Sequence, residues 1–512
     1  MSTFHGLEMA RRALSVQQAA LYTTGHNISN ANTKGFSRQR VDFQTSLPYP
    51  AVGRNRPQIP GQVGTGVDIG AITRVRNDFL DKQFRAENSR VGFWDAQANA
   101  LYRMEELLNE PSKTGLSHTM TEFWQSLQDL SVNPESGGAR AVVAQRGLAV
   151  AETFSHLSET LQTIQNDILE EIDKTADTVN SLLRQISQIN DQLKQIEPHG
   201  YVANDLYDKR DLLLDELSDI VSIRTTYDSL GANSKEIAQG IVSIELVNRN
   251  GSSLNPPIVL LDGMTDYHEN YFDDFLTYTD SGDGSITSLQ FKDQENITVE
   301  QFVDQTMGRL AGLIVSHGYE KDNGEVEGHF PNILNRLNTM AKAFAEEFNR
   351  VHRLDGASTQ DFFVIADDED AAFTITVHED IIRNPNLINA NTLLPGQDLA
   401  DQYNNGENAL NLAKVFSTAL ADLDNLSVEG YFENMIGIIG VEAREANRMT
   451  ENTNILLQQV DEQRMSISAV SLDEEMANML KFQHAYNAAA RSMTAIDELL
   501  DRIINNMGLV GR

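Results

Sequence analysis

Residues 157–196 read LSETLQTIQNDILEEIDKTADTVNSLLRQISQINDQLKQI. Within this run Leu157, Leu161, Ile164, Ile168, Ile172, Thr175, Val179, Leu182, Ile186, Ile189, Leu193 and Ile196 recur in steps of three and four, which puts them on one face of an α-helix. A doubled step of four around Ile168 is a stutter, of the kind that locally unwinds a supercoil. At 1.5 Å per residue the run makes a rod of about 60 Å, longer than a compact domain needs. Outward from it, residues 77–222 as a whole read as helices. Helix resumes near Val299, runs through Leu337–Asn349, and returns from Asn408 onward.

Between these helical stretches the pattern changes. In residues 223–300 short β-patterned runs (Ile241 to Val247, Ile258 to Leu261, Ile286 to Phe291) alternate with Asn250-Gly251, Asp262-Gly263 and the Gly-rich turn at 281–284, all hairpin signals. With thirteen acids against four bases, the segment suits a small, solvated outer β domain. Residues 355–400 form a second irregular excursion, with Phe373–Val377 as a strand, and the Pro/Gly-rich residues 46–70 an extended connector.

The ends carry their own pattern. Leu7, Leu14, Leu21 and Ile28 recur every seven residues, with Ala10, Gln17 and Thr24 three places later, a heptad seam thinned by small and polar residues. It stops in Asn27-Ile-Ser-Asn-Ala-Asn-Thr-Lys-Gly35, where Asn competes for backbone hydrogen bonds and Gly admits positive φ. At the other end Leu472, Met476, Met479, Gln483, Tyr486, Ala490, Met493, Asp497, Leu500, Ile504 and Met507 step as heptads. Ser471 and Glu474 make a capping box at the start of that helix. Residues 1–56 hold seven bases against two acids, and residues 470–512 four bases against six acids, opposite signs that suit paired helices.

Composition narrows the function. The 512-residue chain has net charge −34 and no cysteine, which excludes disulfides and thiolate zinc sites and makes nucleic acid and anionic membrane poor partners. No secretory signal pattern precedes the first helix, and no apolar run approaches a membrane span. There is no Gly-x-Ser-x-Gly, phosphate loop or His-Glu-x-x-His, the motifs that carry nucleophilic, nucleotide or zinc chemistry. Gly64-Thr-Gly66-Val-Asp-Ile-Gly70 reads as a turn between strands, since its third glycine comes one residue late for a dinucleotide site. His317, His329 and His352 read as surface or core residues, and Asp367–Asp370 as a solvated loop. No catalytic residue, metal or cofactor is assigned.

The run Ala13-Leu14-x-x-x-Gln18-x-x-Leu21, continued by Asn27-Ile28-Ser29-Asn30-Ala31-Asn32-Thr33-x-Gly35-Phe36-Ser37-Arg38, resembles the signature shared by flagellar rod, hook and hook-associated proteins. Leu472-Asp-Glu-Glu-Met-Ala-Asn-Met-Leu480 with Gln483, Tyr486 and Asp497–Leu500 resembles their common C-terminal helix. Inside, Asn204-Asp-Leu-Tyr-Asp-Lys-Arg-Asp-Leu-Leu-Leu-Asp-Glu-Leu217, Gly312-Leu313 and Asn408-Ala-Leu-Asn-Leu-Ala413 are similar to the FlgK-type hook-associated proteins. The resemblance covers the chain except 223–300 and 355–400.

It implies a mainly α fold with a β insertion, a nested multidomain rod. Residues 1–46 and 470–512 would be a terminal coiled-coil assembly domain, 47–222 and 301–469 the helical rod, and 223–300 the outer β domain. The assembly surface would comprise Leu7, Leu14, Gln18, Leu21, Asn27, Ile28, Asn30 and Gly35. Its C-terminal half would be Leu472, Met476, Met479, Gln483, Tyr486, Met493, Leu500 and Ile504. The implied role is structural: a ring of copies joining hook to filament, exported through the flagellar type III apparatus without a cleaved signal and placed outside the cell. Its partners would be hook protein below, the next hook-associated protein and flagellin above, and an export chaperone. Other readings stay open. A hook or distal-rod subunit conflicts with the helical 77–222 region, and neither nucleophile nor metal motif supports a secreted hydrolase carried by the β insertion. The fourth is an intracellular coiled-coil scaffold.

Overall fold

The computed structural model describes residues 4–506 except 51–52, 55–56, 58–59, 109–114, 232–233, 269, 283, 295–296, 355–359 and 393–404. Met507 of the C-terminal seam, the middle of the turn at 281–284 and parts of the 355–400 excursion therefore lie outside the described residues. The chain opens with α1 (Phe4–Ser29) and the antiparallel strands β1 (Gln39–Thr45) and β2 (Val67–Arg74). Four helices follow, α2 (Asp78–Leu108), α3 (Leu116–Val132), α4 (Gly137–Ile196) and α5 (Asn204–Ile220). Strands β3 (Ile223–Asp228), β4 (Ile241–Val247), β5 (Ser253–Leu261), β6 (Leu276–Asp280) and β7 (Ile286–Phe291) come next. After them lie α6 (Val299–Gln305), α7 (Arg309–His317), β8 (Tyr319–Glu320), β9 (Val326–Glu327) and α8 (His329–His352). The short elements β10 (Phe363–Val364), α9 (Ala371–Thr374), β11 (Thr376–Val377), α10 (Glu379–Arg383) and α11 (Glu407–Lys414) precede two long closing helices, α12 (Val428–Ser468) and α13 (Leu472–Asp501). Helices dominate with small sheets between them, so the class is mainly α with β insertions.

Helix α4 is the spine. It runs 60 residues unbroken, about 90 Å, from Ser136, whose hydroxyl accepts from the Ala139 N–H at 3.2 Å. The doubled step at Ile168 leaves no interruption. The reason is that α4 winds around no single partner. Val143, Phe154, Leu161, Ile172, Leu183 and Leu193 are all buried, and helices and sheets cover it on several sides, so no fixed 3.5-residue period is required.

The β segment differs from the separately folded outer domain that its sequence suggests. Val242, Ile244, Ile258, Leu276 and Ile286 lie in one continuous apolar core with Leu161, Ile172 and Phe344 of the helices. Two small sheets, ordered β3-β4-β5 and β6-β7-β8-β9, are too small to bury a face of their own and use the spine instead. The second sheet also extends past residue 300, through β8 and β9. Buried amides fix the docking. Asn180 donates to Leu276 O (3.2 Å) and accepts from Leu276 N (2.9 Å), while Asn190 does the same to Val242 at 2.9 and 3.1 Å. Each asparagine bonds both backbone groups of one strand residue, leaving neither buried group unsatisfied.

A similar clamp explains a departure at Phe373–Val377. The alternation there suggests a strand, yet residues 371–374 make a helical turn and only Thr376–Val377 pair, with Phe363–Val364. Asn338 of α8 accepts from Ala372 N (3.0 Å) and donates to Glu369 O (2.7 Å). That contact winds the segment before it can extend.

Candidate functional site: the joined chain ends

α1 and α13 pack as an antiparallel pair. Near one end, a Cβ added at Gly6 would meet the Ile496 side chain at 3.3 Å. At the other, Asn27 Nδ2 donates to Glu475 Oε2 at 3.2 Å. The β1–β2 hairpin lies alongside, with Phe43 edge-on to Phe482 (6.0 Å) and Arg12 3.5 Å from Asp68. The buried positions of α1 are mostly small, Ala10, Val16, Ala20, Thr23, Thr24 and Asn27, so the elements packed on it can come close.

The segment after α1 is a latch. Asn27 accepts from Gln39 N (3.0 Å) and donates to Gln39 O (2.8 Å). Asn30 donates to His26 O and accepts from the Thr33 hydroxyl, closing the helix end. Gly35 has φ +80°, and a Cβ there would press on Leu212 at 3.3 Å, so both conformation and space call for glycine. Arg38 then reaches Glu474 (2.7 Å) and Glu475 (2.9 Å), and its N–H donates to Ser468 O. Glu475 is 2% exposed. The capping box at α13 is thus half made: Ser471 accepts from Glu474 N at 3.5 Å, but the Glu474 carboxylate turns to Arg38.

Beneath the latch lies a buried ion network that joins the ends to the rod. Asp211 contacts Arg74 (2.8 Å), Arg76 (3.2 Å) and Arg85 (3.4 Å). Asp208 takes Arg74 and the Ser37 N–H. Asp215 takes Arg85 and Arg464, and Asp81 takes Arg76 and Arg464. Burial alone would push the Asp211 carboxyl up, yet Arg76, Arg74 and Arg85 together hold it well below the usual carboxylate range. For Asp208 the balance goes the other way, and desolvation outweighs Arg74 and raises its pKa. Each arginine and carboxylate is expensive to bury singly; the network works because nearly every fork finds a carboxylate.

Several of the assigned residues meet here. Asn27, Asn30 and Gly35 are in the latch. Leu7, Leu14, Leu21 and Ile28 are half-buried along α1, as are Met479, Tyr486 and Met493 along α13. Gln18 and Gln483 are exposed, and Gln18 donates to Tyr22 (3.3 Å). Leu472, Met476 and Ile504 are exposed apolar side chains at 48%, 53% and 68%. Leu500 departs from a fully open seam, being only 7% exposed. His317 and His352 are fully buried, and His329 is 3.0 Å from Glu442. The residues that sequence patterning does not reveal are Arg38, Arg74, Arg76, Arg85, Arg464, Asp208, Asp211, Asp215 and Glu475. A signal existed for some: acids at 208, 211 and 215 recur at helical spacing on one face of α5, a polar stripe in a leucine-rich helix.

Three sequence families match parts of the chain. Residues 101–363 match the flagellar hook-associated protein FlgK helical domain, residues 7–36 the flagella basal body rod protein, and residues 461–507 the flagellar basal body rod FlgEFG protein C-terminal. Flagellar hook-associated protein 1 of Bacillus subtilis is 43% identical over 100% of both chains. That of Escherichia coli is 23% identical over 97% of this chain and 98% of its own. Among solved structures, the flagellar hook junction protein FlgK from Burkholderia pseudomallei shares the fold with TM-score 0.58 at 12% identity, covering 76% of this chain and all of that one. The chain belongs to the flagellar hook-associated protein 1 family.

Proposed function

We propose that this chain is a structural, non-catalytic subunit of the flagellar axis that joins hook to filament by assembling with copies of itself. The observation that carries the reading is the latch, which pairs two chain ends into one element whose outer face stays apolar and open. Leu472, Met476, Leu480, Leu499 and Ile504 are 48–68% exposed. Single exposed apolar residues are ordinary, but a run of them along one helix marks an interaction surface.

In this reading residues 1–46 with 470–512 are the assembly unit, 47–222 with 301–469 the rod, and the 223–300 strands its outward face. The assigned seam residues from Leu7 to Gly35 and from Leu472 to Ile504 meet neighbouring copies. The hook protein lies below, and the next hook-associated protein and flagellin above. Export proceeds with a chaperone to a place outside the cell. Deleting the gene should leave hooks without filaments, while flagellin is still made and lost to the medium. Electron microscopy showing normal filaments on the deletion strain would overturn the reading.

A further inference from the structure

A cleft of about 200 Å³ opens between α2, β3 and the β4–β5 turn, and shares Arg85 with the buried ion network. Five cationic side chains line it, Lys82, Arg85, Arg90, Arg224 and Arg249, and no acidic one does. In a chain of net charge −34, that concentration of one sign is the reverse of the overall composition. Three of the five are already paired: Arg85 with Asp215 and Asp211, Arg90 with Glu87, and Arg224 with Glu245. The Arg249 guanidinium donates to Val303 O (3.0 Å) and Thr306 O (3.3 Å) and stands over the Phe93 ring. Among the described residues, no carboxylate forms an ion pair with Arg249 or with the exposed Lys82. Two positive charges therefore remain uncompensated, above a floor of Ser89, Ser222 and Thr225 hydroxyls.

We propose that this cleft is an oxyanion site whose ligand is a carboxylate side chain of a second copy of this chain. Charge complementarity selects that occupant. The surface a neighbouring copy presents is strongly acidic, above all in 223–300 with its thirteen acids, and like-charged subunits need such a positive socket to approach closely. The volume admits a carboxylate with its water but not a folded element. The proposal deepens the self-assembly reading and rests on it.

The test uses the full chain, mixing unlabelled and nitrogen-15-labelled protein at concentrations where it self-associates. Carbodiimide then couples amines to carboxylates already in contact. The expected product is a mixed-isotope link from Lys82 to an aspartate or glutamate, competed away by inorganic phosphate. It should disappear in Lys82→Glu with unchanged melting, and Lys82→Arg should restore self-association lost in that variant. Links from Lys82 confined to its own copy, or no mixed-isotope link at all, would overturn the proposal. A saturable rise in melting temperature with phosphate, lost in Lys82→Glu while self-association persists, would assign the cleft to a free anion and overturn it too. The hook-to-filament reading fails separately, by normal filaments on the deletion strain, and that result leaves the cross-link unaffected.

Discussion

Glu475 and Asn27 stand 448 residues apart in sequence and 3.2 Å apart in space, with Glu475 accepting from the asparagine amide while Arg38 holds its other oxygen at 2.9 Å. The carboxylate is buried, so the pair gains strength from low dielectric and depends on remaining complete. The latch is where the terminal pair is most open to a single substitution.

Glu475→Ala should therefore leave Arg38 with Glu474 alone and Asn27 with Gln39 alone, cutting the tie between them and costing the terminal pair about 2–4 kcal/mol. Hydrogen exchange of amides 10–28 in the purified chain reads this directly. In the parent they should exchange faster than amides 157–196, because α1 is half-buried and α4 is the spine. In the variant they should speed up by a further ten-fold or more while 157–196 stay unchanged. Equal exchange in parent and variant would show that the latch is not what holds the pair.

Asp211→Ala should be worse for the whole fold. It removes the one carboxylate shared by Arg74, Arg76 and Arg85, and breaking a buried network by one partner costs about 3–5 kcal/mol. The pH sign is fixed as well. A carboxyl held below its unfolded value of 3.8 contributes stability that is present above that value and is lost as pH falls through the folded one. Denaturant melts of parent and variant should converge in strong acid and stand furthest apart near neutral pH.

Mild acid should find a different residue. Burial holds His352 down at about 4, from 6.5, against the opposing pull of the Gln360 carbonyl and Asp361. Its Nδ1–H donates to Gln360 O, and its Nε2 accepts from the Asn389 N–H at 3.1 Å, a bond that protonation destroys. The depressed value means the unfolded chain binds the proton first, so stability is full above pH 6.5 and falls towards pH 4. The loss is on the order of 3 kcal/mol. Titrating the parent and His352→Gln by urea midpoint should show that slope in the parent alone.

Two substitutions on α13 separate assembly from folding. Met476→Asp changes a side chain that is 53% exposed, so melting should stay within about 0.5 kcal/mol of the parent while filaments fail to form. Leu500→Asp places a charge where only 7% of the residue is exposed, and should loosen the terminal pair of the isolated chain by several kcal/mol. Motility and thermal melts of both variants check the contrast. Normal filaments on Met476→Asp would remove that face from the assembly surface.

What the sequence discloses follows from the range of the interactions concerned. The helical face of α4 over 157–196, the heptads of α1 and α13, and the stop at Asn27–Gly35 are written in local periodicity and turn chemistry, and are legible, whereas the true start of α4 at Gly137 is not. The latch is half legible. Asn27 and Gly35 stand out as turn residues, whereas Glu475 reads as an ordinary first-turn acid of a capped helix. Of the ion network only the acid stripe at 208, 211 and 215 is legible, because its members come from 74–85, 208–215 and 464, and nothing in a single sequence ties Arg464 to Asp81. Packing hides the sharing of one core in the same way: the strands of 241–291 alternate as any small β domain would, and only Asn180 and Asn190, mid-helix amides in a leucine-rich run, hint that a strand backbone lies against the spine.

The latch also gives the molecule a sense of its own completeness. Its N-terminal members, Asn27 and Arg38, emerge first from any process that makes or threads the chain in order, and they wait through more than four hundred residues for Glu475. A copy broken off anywhere in that interval cannot close the latch, whatever else of it folds. Fitness to join a neighbour is thereby certified only by a full-length copy, and damaged subunits disqualify themselves without any inspector.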